Sequence, residues 1–514
     1  MAQVTIDGSH LSLDEVILVA REKVTVVVEK EAIARTARGR NALEKSLAER
    51  AVVYGVNTGF GALSNVRIPT EEMKQLQLNL IRSHAASVGP PMDPDDVRAM
   101  MLLRANTLLK GYSGIRPEIP LLIVSLLNKQ VHPYVPRKGS VGASGDLSPL
   151  SHMALVLMGE GKAQAKGRWL SGKAALEEAG HRPISLEAKE GLALNNGTQQ
   201  MLGIGCLALH DAYSLTLTAE AALALSLEAI NGWVDAFDQK IHDARPHQGQ
   251  KTVAAHVRTL IEGSHMVRSI RIDNPRDGRP QDPYSFRCAP QVLGAVLDAL
   301  DYVKRVFEIE MNSATDNPLM FPKEAIPISG GNFHGQPIAM ALDFLGLGVS
   351  NLANLSERRT AALLDHSLSN GLPPFLVGRG SKPGLSSGFM ALQYTATALV
   401  AESKVLTHPA SSDSIPTSGN FEDFVSMGPG AAVKAKSILE NAEYVVSVEL
   451  LCAAQGIDLR KKRGLGKGTG QVYRLIRRNV SELTQDRSLH QDVETVRQMV
   501  NKGQFARIVR AHAS

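Results

Sequence analysis

Cysteine is nearly absent from this 514-residue chain: Cys206, Cys288 and Cys452 are the only three. So sparse and odd a set supplies no disulfide framework and no paired CxxC zinc pattern, and no metal site is expected. It fits a reducing, cytoplasmic setting. Aromatic residues are also few, at 4%. Charge of one sign is not in surplus. The net charge of +5 is mild for this length and does not argue for nucleic acid or membrane binding, and neither partner is expected. The densest basic run, Arg460-Lys461-Lys462-Arg463, reads as a solvated loop at a helix end rather than a nucleic-acid contact. No apolar run reaches the roughly 18 residues of a membrane helix. Leu215 to Val234 comes near, but Glu220 and Glu228 interrupt it. The N-terminal stretch shows no basic segment followed by an apolar one, so no secretory signal is expected. No repeat of fixed period is visible, and no series of period two that would build a large sheet.

What is present is helix. Asp93-Pro94-Asp95-Asp96 offers an N-cap, a first-turn proline and acidic residues, and the apolar pattern behind it stops at Gly111. Similar patterns predict long helices near 200–231, 289–311, 337–365, 388–405 and 430–455. Short strand signals occur at Val24–Val28, at Val52-Val53-Tyr54 and near Trp169. The long helices are rich in Ala and Leu around much of their circumference, so they must be buried among other helices. The fold class expected is mainly α: a long-helix bundle completed by oligomerisation, with a smaller mixed N-terminal region. At this length two or more regions are expected, and the division read from the sequence is 1–200 and 201–514.

One loop is unusually bare. In "KGSVGASGDLSPLSH", Lys138 to His152, three glycines surround Ala143-Ser144-Gly145. Read alone, it is a tight loop before a helix near Pro149, with Asp146 or Ser148 as cap. It lacks the spacing of a phosphate-binding loop, and "GASGD" is not the GxSxG of a serine nucleophile. Gly464 to Gly470 fails the phosphate test too and reads as the opening of a helix. A further reading uses the backbone of the bare loop. If the Gly145 nitrogen attacks the Ala143 carbonyl, a five-membered ring forms. Loss of water, including the Ser144 hydroxyl, then leaves an exocyclic alkene. Only small residues allow that approach, and the fold must hold the strain.

"GSVGASGDLSPLSH" resembles the signature of the aromatic amino-acid ammonia-lyase family, which includes histidine, phenylalanine and tyrosine enzymes. The resemblance extends in order through "YGVNTGFG" at 54–61, "LALNNGTQ" at 192–199, "QDPYSFR" at 281–287, "EMNSATDNPL" at 310–319, "GGNFHGQP" at 330–337 and "GKGT" at 466–469. It implies 4-methylidene-imidazol-5-one (MIO) formed autocatalytically from Ala143-Ser144-Gly145, with no external cofactor, and a homotetramer acting on a small amino acid. Asp146 resembles the residue that assists the dehydration. The resemblance makes Tyr54 the base at the substrate's β-carbon, and a tyrosine so used needs a lowered pKa. Backbone N–H groups of the glycine-rich loop 55–61 are the expected source. Arg287 has the forked cation that grips a carboxylate. Asn196 can add a donor to the carboxylate or to the ring oxygen. Tyr284 resembles the family tyrosine near the amine, and Gln281 and Phe333 match pocket-lining positions. The loops carrying the base and the MIO precursor fall in 1–200, and the long helices in 201–514.

Substrate choice in the family depends on a helical pair, here Ser83-His84, and on Glu422. Ser-His and a glutamate resemble the histidine enzymes, implying elimination of ammonia from L-histidine to give urocanate. A phenylalanine or tyrosine ammonia-lyase, or an aminomutase on the same scaffold, is the alternative. The sequence departs from the histidine pattern beside Glu422, where Phe421 and Phe424 stand in place of polar side chains and make the pocket edge more apolar.

Overall fold

The computed structural model describes residues 3–273, 280–381, 384–461 and 464–513. Lys462 and Arg463 of the basic run lie outside the described residues. The chain forms two compact units, each discontinuous in sequence. The first comprises Met1–His210, Val303–Asp343 and Pro409–Val433; the second comprises Asp211–Tyr302, Phe344–His408 and Lys434–Ser514. The division read from the sequence was continuous; these units interleave along the chain, and four of their boundaries fall inside long helices.

The long helices are Gln199–Ala229, Ala289–Met311, Gln336–Leu364, Met390–Leu406 and Gly428–Leu459, within a few residues of the expected spans. Their ends are legible because proline and glycine punctuate them. Helix Pro94–Leu109 likewise begins after Asp93 and stops before Gly111. It is buried from Asp96 to Leu109, and its two arginines bond to groups inside the protein. Arg98 donates to the carbonyls of Val19, Ala20 and Leu127, and Arg104 serves the candidate site described below.

Strands are few. Thr25–Val28 pairs in parallel with Gln3–Ile6. Trp169 lies in Arg168–Ser171, the edge of a three-stranded sheet. The expected strand at 52–54 is absent. Asn57 explains why: its side-chain oxygen accepts from Val53 N (2.8 Å) and its amide donates to Ala51 O (2.8 Å). That side chain takes the hydrogen bonds a neighbouring strand would make and folds 51–57 into a turn.

In the second unit, the two glutamates that interrupt the apolar run are buried acceptors. Glu220 meets His256 Nδ1 at 2.6 Å. Glu228 accepts from Gly466 N at 2.8 Å, at the start of helix Lys467–Asn479. Glu449, fully buried, ties three helices together: it accepts from Arg359 Nε and Nη2 (2.5 and 2.7 Å), Ser226 Oγ (2.8 Å) and Ser356 Oγ (2.6 Å). A buried carboxylate persists when its lone pairs are met in this way. Helix Gln336–Leu364 is long and apolar enough to cross a membrane, but 61% of its apolar window is buried inside the protein.

Candidate active site

The bare loop folds as a tight turn in the first unit. Gly145 N–H donates to Gly142 O at 3.2 Å. Ser144 sits at φ +50° and Gly145 at φ +82°, left-handed values that cost a residue with a Cβ. The turn lies against Gly197 through two hydrogen bonds, Gly197 N to Ser144 O (3.2 Å) and Asp146 N to Gly197 O (2.6 Å). A methyl group on Gly145 would lie 2.2 Å from Gly197 O. Position 145 therefore has room only for glycine, and Ser144 is held at a left-handed angle that a residue with a Cβ seldom adopts.

Asp146 follows the turn and is wholly buried. Its Oδ2 accepts from Gln200 N (2.8 Å) and Met201 N (3.0 Å), at the N-terminus of helix Gln199–Ala229. Its Oδ1 is buried with no partner among the described residues. Burial raises its pKa to about 7, against the lowering effect of those two amides. The group can therefore carry a proton near neutrality.

Beside the turn opens a cavity of about 800 Å³. Among the residues singled out from sequence, Tyr54, His84, Ala143, Ser144, Asn196, Phe333 and Glu422 line it. Ser144 Oγ donates to Glu422 Oε1 at 3.2 Å, and Thr417 Oγ donates to Glu422 Oε2 at 3.0 Å. His84 Nδ1 lies 2.9 Å from the carbonyl of Leu80. Ser83 Oγ lies 3.0 Å from the same nitrogen but gives its hydrogen to Leu80 O, so Nδ1 is assigned the hydrogen and Nε2 is left as an acceptor. Burial lowers the His84 pKa, with partial offsets from Leu80 O and Glu422, which favours the neutral ring. Phe421 and Phe424 also line the cavity and remain 57% and 60% exposed.

Tyr54 departs from expectation in its acidity. The glycine-rich loop supplies one donor, Gly61 N–H, at 2.9 Å from the phenol oxygen. That bond lowers the pKa, but burial outweighs it and the charge of Glu422 adds to the upward shift. The net direction is up. Asn196 also differs. Its Nδ2 donates to Asp316 Oδ1 and to Asn317 O, both at 3.2 Å. An amide has two donor hydrogens, and both are engaged. Its Oδ1 is buried and has no partner among the described residues.

The pattern described as "Aromatic amino acid lyase" matches residues 11–478. The histidine ammonia-lyase of Caldanaerobacter subterraneus subsp. tengcongensis is 48% identical over 512 residues, covering 99% of each chain. The chain belongs to the aromatic amino acid lyase family. Among solved structures, the histidine ammonia-lyase from Trypanosoma cruzi matches with a TM-score of 0.91 at 41% identity, over 99% of this chain and 96% of that one. The tyrosine aminomutase from Streptomyces globisporus matches with a TM-score of 0.94 at 39% identity, over 99% of each.

Not every residue that the lyase signature singled out reaches this cavity. Ser83 is exposed, and its hydroxyl donates to Leu80 O (3.1 Å) within its own helix. Gln281, Tyr284 and Arg287 belong to the second unit and are absent from the lining. There Gln281 is exposed and Tyr284 is 69% exposed. The Arg287 guanidinium lies 4.3 Å from the Tyr284 ring centroid, and its Nε donates to Asp282 O at 3.0 Å. The sequence reading of this lyase missed Arg104 and Asp316, which hold Asn196, and Lys189, which holds Asp316. Arg104 donates to Asn196 O (2.9 Å), to Gln199 Oε1 (2.6 Å) and to Ala193 O. Lys189 Nζ donates to Asp316 Oδ2 at 2.7 Å, with both side chains fully buried. Asp316 stood inside a quoted motif, but nothing local marks it as Asn196's partner.

Proposed function

We propose that this lyase eliminates ammonia from L-histidine to give urocanate, using MIO that it makes from Ala143-Ser144-Gly145. One observation carries the substrate: a neutral histidine, His84, and a carboxylate, Glu422, line the same cavity as the Ser144 turn. An imidazole N–H finds an acceptor at Glu422 or at His84 Nε2, whereas a phenyl ring leaves both unpaired. Each unpaired buried polar group costs on the order of 1–3 kcal/mol. The relatives of about half identity named histidine ammonia-lyase support the same reading.

The residues present fit the prosthetic group. The turn allows the close approach, and Asp146 can hold a proton beside it near neutral pH. Once formed, MIO supplies an electrophile for the substrate amine, which makes nitrogen a better leaving group. Loss of the Ser144 hydroxyl also removes the donor on Glu422 Oε1, freeing that oxygen for imidazole. Tyr54 takes the proton from the β-carbon. Arg287 clamps the carboxylate, with Tyr284 and Gln281 beside the amine, and a neighbouring copy in a homotetramer delivers all three. The setting is cytoplasmic.

The test is kcat/KM for L-histidine, L-phenylalanine and L-tyrosine, with product analysis. L-Histidine should be preferred by at least about tenfold, the effect of one unpaired group, and urocanate should form without a β-amino acid. Preference for L-phenylalanine or L-tyrosine would overturn the substrate, and β-amino acid formation would overturn the lyase in favour of an aminomutase.

A further inference from the structure

We infer that Asp316 is a positioning residue that turns the Asn196 amide so that it offers an acceptor, not a donor, to the substrate's amine. The Asp316 carboxylate is fully buried and has divided its oxygens. Oδ2 takes the Lys189 ammonium at 2.7 Å. Oδ1 takes Asn317 N at 2.7 Å and Asn196 Nδ2 at 3.2 Å. The carbonyl of Asn317 lies on the same side of the amide, 3.2 Å from Nδ2. Two acceptors on one side fix the amide's orientation, because the reverse would set Oδ1 against two oxygens. Lys189 holds the carboxylate in turn, and the pair is buried too deeply for either member to swing to water.

Asn196 Oδ1, on the far side of that amide, is buried and has no partner among the described residues, and the residue lines the cavity. An unmet buried acceptor costs free energy unless a ligand donor meets it. Of the two polar ends of an α-amino acid, only the amine has N–H groups to give. A carboxylate would find no donor here, since both amide hydrogens are engaged.

The assignment rests on the histidine reading, so two probes are used, each lacking one end of the substrate. Histamine has the amine and no carboxylate; 3-(imidazol-4-yl)propionate has the carboxylate and no amine. Their inhibition constants are measured on the wild type, Asp316→Asn, Asn196→Asp and the double variant, with intact mass as the check on dehydration. Asp316→Asn removes an acceptor from Nδ2 and frees the amide to turn. It should weaken histamine about tenfold or more, the loss of a hydrogen bond to a charged group, and leave the propionate within about twofold. The double variant restores one donor and one acceptor between the two side chains, with an oxygen still facing the ligand, and should recover most of the lost histamine affinity. Should Asp316→Asn not fold, Asn196→Ala must show the same selective loss of histamine. Selective weakening of the propionate, equal weakening of both probes, or no change in either overturns the assignment. A wild type that binds neither probe overturns the histidine reading itself, and this assignment with it.

Discussion

A phenol takes a proton only as phenolate, and Tyr54 is held the other way in the free protein. Burial and Glu422 raise its pKa above the usual value near 10, and the single N–H of Gly61 does not compensate. The fraction of base-competent enzyme therefore grows with pH throughout the range below that pKa. We expect kcat/KM for L-histidine to rise from pH 7 to 9, and Tyr54→Phe to lower it at least about a hundredfold, the scale of general-base catalysis. A pH–rate profile of both proteins checks this; a flat wild-type limb would remove Tyr54 as the base. His84→Leu should lower kcat/KM for L-histidine and raise it for L-phenylalanine. Resemblance to the family's motifs singled out Tyr54, His84 and Glu422, and all three line the cavity. The direction of the Tyr54 shift was not, because it depends on burial and on a carboxylate hundreds of residues away. Nor was the orientation of Asn196, which is set by Asp316.

At the scale of elements, the turn at 142–145 and the strand-like Gly197 act as one device. Gly145→Ala would place a methyl 2.2 Å from Gly197 O at φ +82°. The left-handed angle alone costs about 1–2 kcal/mol, and the clash adds to it. Intact mass should then show no loss of water, and Tm should fall by several degrees. Asp146 adds a pH dependence. Its pKa is raised to about 7 from 3.8, so the folded state holds this proton more tightly than the unfolded chain. That contribution to stability is complete below pH 4 and is lost as pH rises through 7. Asp146→Asn, still an acceptor for Gln200 N and Met201 N, should flatten the fall in Tm between pH 4 and 8. It should also slow dehydration. The helices that carry this device were legible from proline and glycine punctuation. The strand at 52–54 was misread because a side chain, Asn57, replaced a partner strand.

At the scale of the molecule, the second unit bears large apolar side chains with no cover. Phe344, Leu347, Tyr394 and Val405 are between 49% and 76% exposed, on helices Gln336–Leu364 and Met390–Leu406. Exposed apolar faces of this kind mark surfaces that meet other chains. The sequence announced them as helices too apolar for solvent. Arg287 and Tyr284, exposed or half-buried and outside the cavity lining, make the same demand from the side of function. If a neighbouring copy supplies Arg287, two dead variants can repair each other. Ser144→Ala removes the hydroxyl whose loss makes the alkene and leaves Arg287 intact; Arg287→Ala does the reverse. Each alone should be nearly inactive. Unfolded together at equal amounts and refolded into random assemblies, they place an intact Ser144 opposite an intact Arg287 in about a quarter of sites. Activity should return to about that fraction of the wild type in the mixture and in neither parent, while sedimentation shows tetramers throughout. If the mixture stays as inactive as its parents, Arg287 works within its own chain or not at all. If activity survives dilution to monomers, the shared site is wrong.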